Sequence, residues 1–293
     1  MLVDVDAHVI GNTRLSESYN IIALEAPAIA EVAEPGQFVM VRPQAGLDPL
    51  LRRPFSIFEI LRNADGRATG LTLLNKRVGV GTALLHAARP GDRVGCFGPL
   101  GRPFVPVRPP AEAWMVAGGV GLAPFVTLAE ALAGLGTTMT LFYGARRAAD
   151  LYGLRAFEAV GARLVLATED GSRGARGRVT DPLDRALRTL PAKSAVTIYA
   201  CGPTPMMRAV AALGARAGRP VFVSLEPVMG CGLGGCYSCV VPVRRGTGSH
   251  FVRSCLDGPV FDARVLVWEA LADHGPAPDA AMSMESRAPA RSY

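Results

Sequence analysis

Apolar and polar residues alternate in short runs through the first third of the chain, with turn residues between the runs. Alternation with a period of two is typical of strands, and closely spaced strands without intervening helices favour an antiparallel barrel. We therefore predict a β-barrel over residues 1–105. Its predicted strands lie within residues 7–15, 19–26, 37–43, 54–62, 69–78 and 92–101.

The pattern changes after the proline-rich residues 106–110. Fully apolar runs, several of which end in glycine turns, now alternate with helical stretches such as residues 122–136. Runs of this kind are typical of parallel strands that are buried on both faces. We therefore predict an α/β domain with a parallel sheet over residues 111–225, in a multi-domain β + α/β chain. A cysteine-rich segment follows at residues 226–268, and the Ala-, Pro- and Ser-rich residues 269–293 are predicted to be disordered.

The charge and hydropathy of the chain indicate whether a nucleic acid or a membrane is a favoured partner. The net charge is +6, from 31 Lys and Arg against 25 Asp and Glu, and the arginines are spread along the chain. Without a run of like charges, a nucleic-acid partner is not favoured. The first residues carry acids where a signal peptide would carry lysines, and no segment offers the roughly 20 apolar residues that cross a bilayer. We expect a soluble cytoplasmic protein that has no membrane partner.

Four of the six cysteines are clustered, with the spacing Cys231-x4-Cys236-x2-Cys239-x15-Cys255. The first intervals match the plant-type ferredoxin pattern, in which thiolates hold an iron–sulfur cluster. Neighbouring glycines permit the backbone dihedral angles that a loop needs to wrap such a cluster closely. The alternatives are a zinc site, which usually has two C-x2-C pairs, and two disulfides, which a reducing compartment disfavours. The spacing favours a 2Fe–2S cluster.

Two short motifs in the barrel region indicate a nucleotide site. The first motif, at residues 53–56, is Arg-Pro-Phe-Ser. It combines a cation, a rigid turn, an aromatic ring and a hydroxyl, which could together hold a diphosphate and a flat ring. Gly81 and Thr82 open a short predicted helix, whose free amides could bind phosphate. Each motif has an ordinary alternative, namely a plain turn for the first and a helix with Thr82 as its N-cap for the second. Together on one barrel they favour a flavin nucleotide.

A second nucleotide site is predicted at the carboxyl edge of the parallel sheet, where ligands of open α/β sheets bind. Residues 115–125 predict a strand, a glycine turn and a helix, with Gly119-x-Gly121-x-x-Pro124 in place of the full dinucleotide fingerprint. A second strand ends in the turn that begins at Cys201. The Cys201 side chain would face the ligand at this edge, with a packing role as the alternative.

The order of these motifs resembles the ferredoxin–NADP reductase superfamily and, more closely, the electron transfer subunits of heterodimeric dihydroorotate dehydrogenases. The resemblance covers residues 5–268, and it is most specific in the cysteine segment, which closes with residues 257–261, DGPVF. It implies that Arg53 contacts the diphosphate of FAD and that Ser56 lies near N5 of the flavin, so Ser56 and Cys201 are the candidate catalytic residues. The implied FAD-binding residues are Arg53, Pro54, Phe55, Ser56, Leu74, Asn75, Lys76, Gly81 and Thr82, and the implied NAD(H)-binding residues are Gly118, Gly119, Gly121, Pro124, Cys201, Gly202 and Pro203.

The resemblance also implies a function, that of an NAD-linked, flavin- and iron–sulfur-dependent oxidoreductase subunit. Electrons would pass from the FMN of a dihydroorotate dehydrogenase catalytic subunit through the 2Fe–2S cluster and FAD to NAD+, in pyrimidine biosynthesis and in a heterotetramer of two plus two chains. The alternatives are an NAD(P)H-linked ferredoxin reductase, a hydrogenase diaphorase subunit and, in another class, a non-enzymatic iron–sulfur sensor. Arg146 and Arg147 follow the second sheet strand, where a 2′-phosphate could be bound, so NADP stays open beside NAD.

Overall fold

The computed structural model describes residues 2–44, 48–246 and 248–271. In the first part of the chain, the alternating runs form antiparallel strands, because one face of each strand packs into a common core. Short helices connect some of these strands. The elements are β1 (Val3–Arg14), β2 (Tyr19–Glu25), α1 (Pro27–Ala30), β3 (Phe38–Arg42), β4 (Arg53–Ser56), β5 (Glu59–Arg62), β6 (Ala68–Lys76), α2 (Val80–Ala87) and β7 (Arg93–Leu100).

The barrel closes through β4 and β5, which are consecutive in the chain but lie at opposite ends of the strand order β4-β3-β7-β1-β2-β6-β5. Between them, the Ile57 amide donates to the carbonyl of Gln37 (3.0 Å), and the Phe58 amide donates to the carbonyl of Thr72 (2.9 Å). The chain therefore crosses from one end of the sheet to the other within two residues. The predicted barrel is confirmed, but the prediction of one strand over residues 54–62 is wrong.

Beyond the barrel, parallel strands alternate with helices as predicted, and the cysteine segment adds a hairpin and an edge strand. The parallel part contains β8 (Glu112–Gly118), α3 (Phe125–Gly134), β9 (Met139–Ala145), α4 (Leu154–Ala159), β10 (Arg163–Thr168), β11 (Ala175–Arg176), α5 (Thr180–Thr189), β12 (Val196–Cys201), α6 (Thr204–Arg216) and β13 (Val221–Ser224). The cysteine segment contains β14 (Val240–Arg245), β15 (Gly248–Arg253), α7 (Ser254–Asp257) and β16 (Val260–Asp262).

The second sheet has the order β11-β10-β9-β8-β12-β13-β16. Adjacent residues of β8 pack into different cores, with Met115 against α3 and α4, and Val116 against α5 and α6. Helices therefore cover both faces, which is why the strands are apolar throughout. At one edge, β16 pairs antiparallel with β13, so that Phe261 lies opposite Val223. The sequence does not predict β16, because a strand of three residues is too short to show a period.

Aromatic side chains join the barrel to the parallel sheet. The Phe104 ring lies 5.7 Å from that of Phe125 and 5.4 Å from that of Tyr199. The Tyr199 hydroxyl donates to the carbonyl of Val105 (2.8 Å) and accepts from the amide of Val107 (3.1 Å), and burial raises the pKa of Tyr199 to about 12. The link between the two sheets is thus both packed and hydrogen-bonded. Within the described residues, no helix has the length and apolar character that crossing a bilayer requires.

Candidate functional site

A cleft of about 1420 Å³ lies between the barrel and the carboxyl edge of the parallel sheet. Most of the predicted nucleotide-binding residues line this cleft, although they come from distant parts of the chain. Their assignment to particular ligands stays a prediction. The barrel contributes Arg53, Pro54, Phe55, Ser56, Leu74, Lys76 and Thr82, and the sheet contributes Gly118, Gly119, Gly202 and Pro203.

On the barrel wall, Arg53 lies against the amino end of α2. Its guanidinium donates to the carbonyls of Leu51 (2.8 Å) and Arg52 (3.2 Å). A Cβ atom built on Gly81 would lie 3.4 Å from Cγ of Arg53, so the glycine leaves room for the helix and the arginine to meet. A guanidinium beside a helix amino end is a favourable place for a phosphate. The residues present therefore fit a diphosphate group.

Thr82 lies in the first turn of α2, and the N-cap position is occupied by Gly79. The Thr82 hydroxyl accepts hydrogen bonds from the amides of Val78 (2.8 Å) and Gly79 (3.0 Å). The alternative that Thr82 is the N-cap is therefore wrong. Because the hydroxyl already binds these amides, Thr82 shapes the loop before α2 from within the helix.

The three residues predicted on β6 divide between the two faces of the strand, as the pleat requires. Leu74 and Lys76 line the cleft, whereas Asn75 is fully buried. The Asn75 amide group donates to Oδ1 of Asn20 (2.7 Å) and to the carbonyl of Thr82 (3.0 Å). Asn75 therefore ties α2 to the barrel, and in this structure it is not part of the cleft wall.

On the sheet wall, the turns after β8 and β12 approach each other at glycines. A Cβ atom on Gly118 would lie 2.9 Å from Cδ of Pro203. A Cβ atom on Gly121 would collide with the carbonyl of Cys201 and would lie 2.6 Å from Cα of Gly202. These positions accept no larger residue without moving the turns. Gly121 therefore supports the cleft from beneath and does not line it.

Two further predicted residues lie outside the cleft lining. Pro124 is the N-cap residue of α3, directly after a 3-10 turn at Gly119–Leu122. Cys201 is fully buried at the end of β12, where burial raises the pKa of its thiol well above the usual value. The Cys201 thiol therefore contacts the cleft only through neighbouring residues, among them Glu226, whose Oε1 lies 4.0 Å from the Cys201 sulfur.

Sequence reasoning missed Glu226, which lines the cleft two residues after β13. A signal was available, because an acidic residue just beyond a parallel strand lies at the edge where ligands bind. Desolvation by the surrounding walls raises the pKa of its carboxyl to about 7. The side chain is nevertheless exposed to water in the open cleft. The upward direction, rather than its full extent, is therefore what the geometry supports.

This shift predicts a pH dependence of stability. Because the pKa of Glu226 is higher in the folded chain than its ordinary value of 4.5, its neutral form contributes stability that is complete below that pH and is lost as pH rises through the raised pKa. We expect the unfolding free energy of the wild type, minus that of Glu226→Gln, to be larger at pH 5 than at pH 8 in urea titrations. Glu169→Gln, at another carboxylate on the cleft wall, serves as the control. An equal difference at both pH values would contradict the assignment.

The arginines that left NADP open both line the cleft. Nε of Arg147 lies 3.2 Å from Oδ2 of Asp150, so this cation has a carboxylate partner within its own turn. Arg146 precedes it at the end of β9, and its carbonyl accepts from the amide of Asp170 (3.2 Å). Both arginines therefore line the same cleft as the predicted NAD(H)-binding glycines Gly118 and Gly202.

The four clustered cysteines come together as two pairs. The sulfurs of Cys239 and Cys255 lie 3.3 Å apart, and Cys231 is close enough to Cys236 to help lower the pKa of its thiol. In the part of the chain that the structure describes, no three His, Cys, Asp or Glu side chains surround a single ion position. A 2Fe–2S cluster takes two thiolates on each iron, so paired thiols suit it. The donor set therefore fits the predicted cluster.

The loop that carries Cys231, Cys236 and Cys239, residues 230–239, is called the cysteine loop, and it packs directly on the barrel. A Cβ atom on Gly232 would lie 2.6 Å from Cγ of Met40 and 3.1 Å from Cδ1 of Leu100. Met40 on β3 pairs in register with Pro54 on β4, which belongs to the Arg-Pro-Phe-Ser motif. Gly232 thus allows the loop to sit within one strand of the predicted flavin site, which favours electron transfer between the two.

The two cysteine pairs have opposite electrostatic surroundings. Hydrogen bonds from Ser238 and then Cys231 lower the pKa of the Cys236 thiol to about 6, at an exposed position. Burial, followed by the neighbouring Cys239, raises the pKa of Cys255 to about 12. A metal centre that bound Cys255 would offset this penalty, because a coordinated thiol is deprotonated outright.

Comparison with known proteins agrees with this geometry. Residues 226–267 match the family model of the iron–sulfur cluster binding domain of dihydroorotate dehydrogenase B, and residues 115–212 match the oxidoreductase NAD-binding domain. The electron transfer subunit of dihydroorotate dehydrogenase B (NAD(+)) from Desulforamulus reducens is 40% identical over 264 residues, which cover 90% of this chain and 98% of the relative. Its counterpart from Geobacillus thermodenitrificans is 38% identical, over 88% of this chain and 96% of its own.

Solved structures show the same fold. A chain of the NADH-dependent reduced ferredoxin-NADP oxidoreductase superposes with a TM-score of 0.78 and 28% identity, over 90% of this chain and 91% of that chain. A ferredoxin NADP+ reductase from Neisseria gonorrhoeae, solved with bound FAD and NADP, superposes with a TM-score of 0.61 and 19% identity, over 73% and 92%. The identity of 38–40% over nearly the full length of the two relatives, together with the family-model match at residues 226–267, shows that the chain belongs to the family of dihydroorotate dehydrogenase B (NAD(+)) electron transfer subunits.

Proposed function

We propose that this chain is the electron transfer subunit of an NAD+-linked dihydroorotate dehydrogenase. In this proposal, electrons enter from the FMN of a catalytic partner subunit and leave as NADH after passing a 2Fe–2S cluster and FAD. The observation that carries it is the packing of the cysteine loop on the barrel strand beside the motif at residues 53–56. The choice of a dihydroorotate dehydrogenase as the partner is supported by the names of the relatives in this family.

The order of the carriers follows from their electron capacities. A bound flavin exchanges electron pairs with a pyridine nucleotide and single electrons with an iron–sulfur cluster. The chain's own residues would then have separate tasks. Arg53 would neutralise the diphosphate, Ser56 would offer its hydroxyl to the flavin ring, and the glycine turns at Gly118 and Gly202 would admit the nicotinamide nucleotide. The Glu226 carboxyl, on the cleft wall, would keep its proton to a higher pH than an ordinary glutamate.

The cluster would lie at the end of the path that faces the partner subunit. Cys236 is exposed, whereas Cys239 is buried against the barrel. An electron that entered through the exposed side would therefore reach the barrel through the protein interior. Leu233 and Tyr237, which are 58% and 61% exposed, flank Cys236 and offer apolar contact area to a partner.

We also propose the organisation of the assembly. The division into residues 1–105, 111–225 and 226–268 is supported by family-model matches at 115–212 and 226–267. Of the proposed tail at residues 269–293, residues 272–293 lie outside the described residues. We favour NAD over NADP because the relatives carry NAD(+) in their names, and we favour a heterotetramer of two plus two chains.

Ser56 provides a test of the flavin site. Its hydroxyl makes no hydrogen bond within the described part of the chain, so it is available to a bound flavin. We expect Ser56→Ala to retain FAD but to slow flavin reduction by NADH by roughly tenfold, the worth of one hydrogen bond of about 1.4 kcal/mol. Stopped-flow absorbance would measure this rate. Ser56→Thr should restore much of it, and an unchanged rate in Ser56→Ala would remove this role.

The function itself is tested with the partner. The chain is co-expressed with the FMN-binding catalytic subunit of a dihydroorotate dehydrogenase, and the purified complex is assayed for dihydroorotate-dependent NAD+ reduction. We expect the pair to co-purify with FAD, FMN and iron, and to reduce NAD+ only when both chains are present. A colourless chain that contains zinc and lacks flavin would overturn the proposal.

The similarity to the NADH-dependent reduced ferredoxin-NADP oxidoreductase chain favours a second candidate, an NAD(P)H-linked ferredoxin reductase. Both candidates use the same cleft and the same cysteine loop, so the partner alone separates them. The discriminating measurement is the rate with reduced ferredoxin against the rate with dihydroorotate and the co-expressed subunit. Faster reaction with ferredoxin, together with no stable complex with the co-expressed dihydroorotate dehydrogenase subunit, would favour the second candidate.

A further inference from the structure

The proposed electron path assigns no role to one hydroxyl of the cysteine loop, that of Ser238. Ser238 lies between Cys236 and Cys239 in the sequence, and its Oγ lies 3.2 Å from the sulfur of Cys236. The same oxygen accepts a hydrogen bond from the amide of Gly230 (2.8 Å). The Ser238 hydroxyl therefore connects the start of the loop to one of the predicted ligands.

The direction of the hydrogen bond follows from the chemistry of a ligand. A cysteine that binds iron is a thiolate and has no proton to give. The Gly230 amide supplies the proton of the other contact, so the Ser238 hydroxyl keeps its single proton for Cys236. The result is a chain from the Gly230 amide through the Ser238 hydroxyl to the Cys236 sulfur, in which each bond polarises the next.

The backbone around Ser238 is shaped for this contact. A Cβ atom on Gly230 would lie 3.1 Å from the sulfur of Cys236 and 3.3 Å from Oγ of Ser238, so a larger residue would crowd both atoms. Tyr237 has a φ of 57°, a left-handed conformation that is unusual for a residue with a side chain. The Arg253 guanidinium lies 5.1 Å from the centre of the Tyr237 ring and donates to the carbonyl of Gly234 (3.0 Å). These contacts hold the turn that presents Ser238 to Cys236.

We propose that Ser238 is a positioning residue that donates its hydroxyl proton to the Cys236 sulfur and thereby raises the reduction potential of the 2Fe–2S cluster. One-electron reduction adds a negative charge that the sulfurs share, so a hydrogen bond to sulfur stabilises the reduced form more than the oxidised form. The proposal rests on the proposed function, because it requires the cluster. Ser238 is exposed, so water competes for the bond and a moderate effect is expected.

The test is a redox titration of the cluster in the complete complex, followed by its EPR signal. We expect Ser238→Ala to lower the equilibrium constant for one-electron reduction by about threefold to tenfold, which is about 30 to 59 mV for a one-electron couple. Ser238→Thr keeps the hydroxyl and should stay near the wild-type potential. Ser249→Ala, at an exposed serine on β15 of the same segment, is the matched control and should leave the potential unchanged.

Three results of this titration would contradict the proposed role of Ser238. An unchanged potential in Ser238→Ala, with the cluster present, would overturn the proposal and leave the proposed function intact. Loss of the cluster in Ser238→Ala and in Ser238→Val, with Ser238→Thr at the wild-type potential, would assign the hydroxyl to holding the loop and would also overturn it. A wild-type complex without a cluster EPR signal would instead remove the proposed function, and this inference with it.

Discussion

Replacement of Cys236 by serine is expected to abolish electron exchange with the partner subunit while NADH still reduces the bound flavin. Cys236 is exposed on the cysteine loop, and its loss removes one thiolate of a pair. A supporting residue of a metal site is worth about 10- to 100-fold, so loss of a ligand itself should exceed about 100-fold in dihydroorotate-dependent NAD+ reduction. The flavin motif lies on separate strands and should be untouched.

The measurement compares two assays on the same protein. Iron content and dihydroorotate-dependent turnover should fall together, whereas NADH-dependent dye reduction should stay near the wild-type rate. Cys239→Ser, at the buried pair, should behave in the same way but with a greater loss of stability, because Cys239 also packs against Met40. Loss of FAD together with the cluster in Cys236→Ser would contradict the separation of the two sites.

Substitution of Gly121 by alanine is expected to disable the nicotinamide side of the cleft. The added methyl group would collide with the Cys201 carbonyl, so the turns after β8 and β12 must separate. Overpacking of this kind destabilises proteins by about 1 to 3 kcal/mol. A displacement of the turns by about 1 Å would reduce hydride transfer by about 100-fold. Urea unfolding and stopped-flow reduction by NADH measure the two effects.

Gly134 provides the matched control for this change. It lies at the end of α3, and no atom lies within 4 Å of a Cβ built on it. Gly134→Ala should keep wild-type NADH kinetics and should match or exceed the wild-type stability, because alanine is the better helix former. If Gly121→Ala were as active and as stable as Gly134→Ala, the close approach of the two turns would have no functional weight.

The barrel and the parallel sheet could be predicted because the barrel strands alternate with a period of two, whereas the parallel strands are fully apolar runs with helical stretches between them. The strand break inside residues 54–62 could not, since this stretch contains no Gly, Asn or Asp turn residue to show that hydrogen bonding passes from β3 to β6 at Ile57 and Phe58. Edge strand β16 was missed for a related reason. Its register with β13 depends on tertiary pairing rather than on any local preference.

In the candidate site, too, local sequence motifs could be predicted, whereas positions that depend on long-range contacts could not. Glycine turns and cysteine spacing are local signals, and the structure brings those residues together. Asn75 shows the limit of a contiguous motif, because the strand pleat turns it away from the cleft that Leu74 and Lys76 line. Glu226 has a local signal in its position just beyond β13, but its proximity to Cys201 arises only when β12 and β13 pair.

The pairing of β16 with β13 affects how a cluster-free version of this protein should be made. A version shortened after residue 225 would lose β16 and leave the outer backbone groups of β13 exposed. An uncovered strand edge is a template for association between copies, so such a fragment is expected to aggregate. The cysteine segment therefore covers the edge of the sheet and also carries the predicted cluster ligands. Point substitution of its thiols is a better way than truncation to make a cluster-free protein.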